Sequence, residues 1–117
     1  MVVHDVSWVE LHPERDRVRV RCGGVLDAAT AEELRHECDG LFDRGFARVI
    51  LDLTHVDSVS PAAVGTIAAV NHRARSLGVR FSVVPGGADV AGTLRRAGLL
   101  GQLQLEGPTE MFLDWSR

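Results

Sequence analysis

Arg48-Val49-Ile50-Leu51-Asp52-Leu53 is nearly continuous in apolar residues, as expected of a strand covered on both faces, since a half-exposed strand would alternate apolar with polar positions. We read it as the central strand of a sheet. A loop through His55-Val56-Asp57-Ser58-Val59 leads to Ser60-Pro61. There a serine can cap a helix, and a proline at the first helical position gives up a donor that would be unpaired anyway. The helix then runs through Val64, Ile67, Ala68 and Asn71 towards Ala74 and Leu77, with Gly78 as its stop. Its small residues, Ala62, Ala63, Gly65, Ala68 and Ala69, allow close approach of another backbone. A buried strand followed directly by a helix is the core unit of an α/β fold.

Working back towards the N-terminus, Arg17 to Cys22 alternates strictly. Arg17, Arg19 and Arg21 lie on one face and Val18, Val20 and Cys22 on the other, the period-two signature of a half-buried strand with solvated arginines. Val6 to Leu11 is a further strand, joined to it through the polar, proline-containing stretch His12-Pro13-Glu14-Arg15-Asp16 as an edge hairpin. Gly23-Gly24 breaks the alternation, and Thr30 followed by Glu33 predicts a capping box that opens a helix. Leu34, Cys38, Leu41 and Phe42 make the inner face of this helix, and Gly45 closes it.

Towards the C-terminus, Arg80 to Val84 predicts a strand, Pro85-Gly86-Gly87 a turn, and Ala88 to Ala97 a helix with Val90 and Leu94 inward and Gly98 as its stop. Leu99 to Leu105 adds a short strand, and Thr109 to Trp115 a terminal helix presenting Met111, Phe112 and Trp115 to the core. The alternation of strand and helix implies parallel strands joined by right-handed crossovers. The expected fold is a small mixed α/β sheet of four to five strands, with an N-terminal antiparallel edge hairpin, parallel core strands and about four helices mainly on one side.

The 117 residues suit a single domain spanning 1–117. With 45% hydrophobic and 25% charged residues the composition is that of a soluble globular protein. The net charge of −3 offers no overall basic field for a nucleic-acid backbone. No apolar run approaches the roughly 20 residues needed to span a bilayer, and His4, Asp5 and Glu10 stand where a signal peptide would be apolar, so the expected location is cytoplasmic. Cys22 and Cys38 lack metal-site spacing and read as reduced core thiols. The histidines His4, His12, His36, His55 and His72 show no ligand spacing, and no metal or other cofactor is expected.

Catalytic motifs are missing too. Neither GxGxxG nor GxxxxGK occurs, and Ser58 and Ser60 lack the flanking glycines of a hydrolase elbow although His55 is near. An enzyme is not expected. What stands out is the N-terminus of the second helix, where Ser58, Ser60 and three or four unpaired backbone donors would meet the positive end of the helix dipole.

The segment Val25-Leu26-Asp27-Ala28-Ala29-Thr30-Ala31-Glu32-Glu33-Leu34-Arg35 resembles the GELD-x-x-TA-x-ELR segment of bacterial STAS domains. Val49-Ile50-Leu51-Asp52-Leu53-Thr54-His55-Val56 is similar to their VILDLS-x-V strand. The likeness continues through Ala74 to Phe81 and Leu94 to Leu99, and so covers about Val18 to Leu103. It implies the anti-sigma-factor antagonist kind of STAS domain: a partner-switching regulator of transcription that binds a protein acting as both anti-sigma factor and serine kinase. In such antagonists the loop before the second helix reads D-S-S-G-x-G, and its second serine is phosphorylated. Laid on that pattern, Ser60 takes the place of the aspartate, Pro61 of the first serine, Ala62 of the phosphorylated serine, Ala63 of the first glycine and Gly65 of the last.

Ala62 has no hydroxyl, so the ordinary phospho-switch is absent. Ser60 could accept phosphate instead, but an N-cap before proline normally commits its oxygen to a backbone donor. The residues expected to face a partner are Asp27, Thr30, Ser58, Ser60, Pro61, Ala62, Ala63, Gly65 and Thr66. Asp27 reads equally well as a polar turn residue before a helix. Along the second helix Val64 and Ile67 are expected to pack inward, and Ala62 and Ala63 to lie at the surface. The alternative partner is a transporter ATPase, the chain then serving as accessory subunit of a lipid-transport system. A homodimer is compatible with either reading.

Overall fold

In the computed structural model, residues 7–107 are described. Five strands form one sheet in the order β1-β2-β3-β4-β5, with β1 (Trp8–Pro13), β2 (Val18–Leu26), β3 (Arg48–Val59), β4 (Arg80–Val84) and β5 (Gln104–Leu105). β1 pairs antiparallel with β2, and every later pairing is parallel. Three helices fill the crossovers: α1 (Ala28–Asp43), α2 (Pro61–Leu77) and α3 (Ala88–Arg96), with a short 3-10 turn at Leu100–Gln102 before β5. The edge hairpin, parallel core and five-strand count are as the sequence pattern predicts. The expected helix over Thr109 to Trp115 lies outside the described residues.

Because each parallel strand is added on the same side of its predecessor, right-handed crossovers place all three helices on one face. Val18, Val20 and Cys22 of β2, Val49, Leu51 and Leu53 of β3, and Phe81 and Val83 of β4 meet Leu34, Cys38 and Leu41 of α1, Ile67 and Val70 of α2, and Val90 and Leu94 of α3 in one buried cluster. Phe42 and Phe81 meet edge to face, with ring centroids 6.5 Å apart. Between α1 and α2, Arg73 bridges Asp39 and Asp43, and Arg35 pairs with Glu32 and Asp39, so the two helices are joined by charge at the surface as well as by apolar packing beneath.

Both central strands are longer than the sequence suggests. β2 runs on through Gly23-Gly24 to Leu26, and β3 through the expected loop to Val59. The pairing Arg21↔Asp52, Gly23↔His55, Gly24↔Val56, Val25↔Ser58 shows two register shifts, each placing an extra residue in β3. These bulges turn a period of two into a spacing of three, with Leu53, Val56 and Val59 buried and the residues between them exposed, a pattern that imitates a loop. Gly23 is therefore no chain break. A Cβ there would sit 2.5–2.6 Å from indole atoms of Trp8, so glycine is what lets the indole lie flat on β2.

Arg17 and Arg19 are less solvated than their alternation implied, since Glu14 accepts from both and Asp52 from Arg19. Leu77, the last residue of α2 before the left-handed Gly78 (φ 72°), is 52% exposed.

Candidate functional site

The last residues of β2 and β3 are register partners, Leu26 opposite Val59. One residue further along each strand a helix begins, so the two N-caps, Asp27 for α1 and Ser60 for α2, lie side by side. The Ser60 N–H donates to the Leu26 carbonyl at 3.0 Å, locking this arrangement. Asp27 Oδ1 accepts from the Thr30 N–H at 2.9 Å and Ser60 Oγ from the Ala63 N–H at 3.1 Å. Asp27, not Thr30, is thus the cap of α1, which starts three residues earlier than the capping-box reading placed it. Asp27 accepts from the third helical residue directly, which leaves Thr30 inside the first turn and buried. The Thr30 N–H, with the Thr30 hydroxyl, holds the Asp27 carboxyl below the usual range, so it is an anion at neutral pH.

The α2 terminus offers fewer open donors than three or four. Pro61 has none, Ala63 is capped, and the Val64 N–H already bonds the Ser60 carbonyl at 3.0 Å. Among the described residues this leaves the Ala62 N–H without a partner in the first turn.

Around the two caps the exposed residues are small. Ala28 and Ala29 on α1, and Pro61, Ala62, Gly65 and Ala69 on α2, are all exposed, and a Cβ at Gly65 would meet nothing within 4 Å. Ser58 is exposed beside them at the end of β3. The Thr66 hydroxyl donates to the Ala62 carbonyl at 3.1 Å, back along its own helix. Ala63, expected at the surface with Ala62, is fully buried against the sheet (0% exposed), and Ile67 follows it inward four residues on. Of the expected partner-facing residues, Asp27, Ser58, Pro61, Ala62 and Gly65 form one exposed surface, Ser60 and Thr66 are half-buried at its rim, and Thr30 and Ala63 lie beneath it.

A family model described as the STAS domain matches residues 11–113. The chain belongs to the STAS domain family. Solved structures agree on the fold. An anti-sigma factor antagonist from Mycobacterium paratuberculosis superposes with a TM-score of 0.80 at 18% identity, covering 97% of both chains. The anti-sigma factor antagonist SpoIIAA in its unphosphorylated form gives a TM-score of 0.72 at 18% identity over 94% of this chain and 96% of that one. A Thermotoga maritima protein described as an anti-sigma factor antagonist gives 0.74 at 17% over 91% and 92%. A search of curated proteins found no match.

Sequence reading missed one feature of this STAS domain. On the sheet face away from the helices, Trp8 lies over Gly23, with the His55 ring 5.9 Å from its own and the Arg21 guanidinium 5.9 Å from the indole centroid. Val25, two residues beyond Gly23, accepts from the Ser7 hydroxyl at 2.6 Å and pairs in register with Ser58, so the Trp8 cluster adjoins the end of the sheet that carries the two caps. The signal was present in Gly23 itself, a glycine inside a strand, which often marks close approach of other atoms. Among the described residues no three histidine, cysteine or acidic side chains are grouped to hold a metal ion, and no helix is long and apolar enough to cross a membrane.

Proposed function

We propose that this STAS domain is a non-enzymatic regulatory module of the anti-sigma-factor antagonist kind. It docks a serine-kinase-like anti-sigma factor on the paired N-termini of α1 and α2, and it does so without phospho-control at the usual position. The observation that carries this reading is the position of Ala62. It is exposed in the first turn of α2, among small exposed residues beside the ionised Asp27 cap, where a partner can approach closely and where a phosphate, had there been a hydroxyl, would sit. A phosphate there would add about −1.5 to −2 charges next to a carboxylate and repel a docked partner. Alanine keeps position 62 uncharged at all times, so the domain acts as an antagonist that its partner cannot switch off by phosphorylation there.

Small side chains support docking because they cost little conformational entropy to immobilise and let the partner reach backbone groups such as the open Ala62 N–H. Ser60 is a poor substitute phosphoacceptor, since its oxygen is already committed to the Ala63 N–H.

The test is affinity capture from a lysate of the source organism with the wild-type chain and with Ala62→Asp, which sets a negative charge on the proposed surface, followed by mass spectrometry. Recovery of a kinase-like anti-sigma protein by the wild type and its loss with Ala62→Asp is the expected result. Recovery of a transporter ATPase, or equal recovery by both chains, refutes the proposal.

A further inference from the structure

At the opposite end of the domain from the caps, the chain returns from helices to strands, so the C-termini of the helices and the first residues of the parallel strands share one pole. Arginines collect there: Arg44 caps α1, Arg75 is in the last turn of α2, Arg80 opens β4, and Arg95 and Arg96 end α3. Arg48, which opens β3 beside Arg80, is held by Glu106 and Asp16, and Arg17, Arg19, Arg35 and Arg73 are each within 4.0 Å of a carboxylate. Arg75 and Arg80 enter no salt bridge among the described residues. The carbonyl end of α2 accounts for a cation at Arg75, but not for one at Arg80.

Between these two arginines is a cavity of ≈ 180 Å³ lined by Asn71, Arg75, Val79, Arg80, Phe81 and Gln104. It exists because β5 pairs only with Ser82 and Val83, leaving the edge of β4 open at Arg80 and Phe81. No carboxylate lines it. Asn71 is 7% exposed, so its amide lies at the floor of the cavity, largely shielded from bulk water. Its Nδ2 donates only to the Gln102 carbonyl at 3.4 Å, beyond the usual range for such a bond, so the amide N–H groups can still serve an acceptor.

We propose that this cavity is an oxyanion site of the phosphate class, occupied by free inorganic phosphate or by the phosphate group of a small phosphorylated molecule. Two guanidinium-bearing residues and an under-bonded amide supply donors, and the absence of acidic lining removes the repulsion that would exclude an anion. The volume of ≈ 180 Å³ admits a phosphate group, and the uncovered β4 edge leaves room for a small substituent on it. The site is independent of the partner surface, which lies at the other pole.

The test is an NMR titration of the amide resonances with inorganic phosphate and, separately, glycerol phosphate, at ionic strength held constant with chloride. Saturable shifts centred on Val79, Phe81 and Gln104 are expected. Arg75→Ala and Arg80→Ala, both at exposed positions that leave the core intact, should each weaken binding about tenfold, the effect of losing one charge-assisted hydrogen bond. Arg95→Ala should leave it unchanged. Saturation by inorganic phosphate alone identifies the free anion as the occupant, and tighter saturation by glycerol phosphate identifies a phosphorylated molecule. Shifts that never saturate with either, or an equal loss with Arg95→Ala, overturn the proposal in favour of diffuse attraction to the basic pole.

Discussion

Replacing Gly23 by alanine tests whether the Trp8 cluster is built on the absence of a side chain. The new Cβ would lie 2.5–2.6 Å from three indole atoms, a separation that cannot persist, so one of two things must happen. If Trp8 stays, the strands shift to accommodate the methyl group, an overpacking cost of about 1–3 kcal/mol. If Trp8 swings away, it gives up the Arg21 guanidinium, worth about 0.5–1 kcal/mol at a partly exposed site, and its contact with His55, worth about 0.5–1.5 kcal/mol by analogy with aromatic pairs. Either route costs about 1–3 kcal/mol. Against this, alanine in a strand regains about 0.5–1 kcal/mol of backbone entropy, and the φ of Gly23 is not in the left-handed region, so no backbone strain opposes it. The net expectation for Gly23→Ala is a loss of about 0.5–2 kcal/mol, measured by urea denaturation followed by far-ultraviolet circular dichroism. In a Trp8→Ala background the clash is gone and the same change should become neutral or stabilising, a coupling of about 1–3 kcal/mol in the double-mutant cycle. If Gly23→Ala costs the same in both backgrounds, glycine is required for some reason other than the indole and the argument fails.

Three further outcomes follow from the buried groups. At Asp52 burial pushes the carboxyl up, but bonds from the Thr54 hydroxyl and N–H and from Arg19 outweigh it and leave its pKa lowered; its stabilisation is therefore complete above the unfolded value of about 3.9 and lost as pH falls through the lower folded value. Asp52→Asn should accordingly cost about 1.5–3 kcal/mol at pH 7 in urea melts, with the gap to wild type closing below about pH 4. Burial pushes the Cys22 thiol up to about 12 and raises Cys38 as well, so both should stay silent to a thiol reagent such as DTNB in the native protein and react fully once denaturant is added. Ala63→Leu should destabilise by about 1–3 kcal/mol through overpacking whereas Ala62→Leu stays within about 0.5 kcal/mol; thermal melts that rank them the other way would reverse the inward and outward faces assigned to α2.

The edge hairpin, the buried β3 and the two ends of α2 were legible because each rests on local chemistry: the alternation from Arg17 to Cys22, the apolar run from Val49, the Ser60-Pro61 start and the left-handed Gly78 stop. The features misread depend on contacts between distant residues. Val56 and Val59 look like part of a loop until the bulges opposite Gly23 and Gly24 are known, because only the partner strand reveals that an extra residue has been absorbed. Thr30 and Glu33 offered a good capping box, yet Asp27, three residues before Thr30, satisfies the same donor sooner, and two overlapping cap signals cannot be ranked without the strand that fixes where the turn begins. Leu77 repeats the helical spacing of its neighbours but is exposed at the last residue of α2.

Ala62 and Ala63 show most clearly where residue types run out. Nothing in two consecutive alanines says which one faces a partner, and successive residues of a helix differ by about 100° in direction, so the answer depends wholly on the phase of α2. That phase is set by the first turn: Ser60 is held by the Leu26 carbonyl and bonds Ala63, which turns Ala63 under the helix and Ala62 out. The Leu26 anchor in turn exists only because β2 and β3 pair in parallel up to Leu26↔Val59. The two β3 bulges that disguised the strand as a loop are therefore what bring Asp27 and Ser60 level. Without the two extra residues they absorb, the pairing that runs from Val18↔Val49 to Arg21↔Asp52 would set Leu26 opposite Asp57, and Ser60 would overshoot the Asp27 cap by two strand positions, about 6–7 Å. The alanine at position 62 would then face some other surface. The proposed docking site is a property of strand register, read out through a single helix cap.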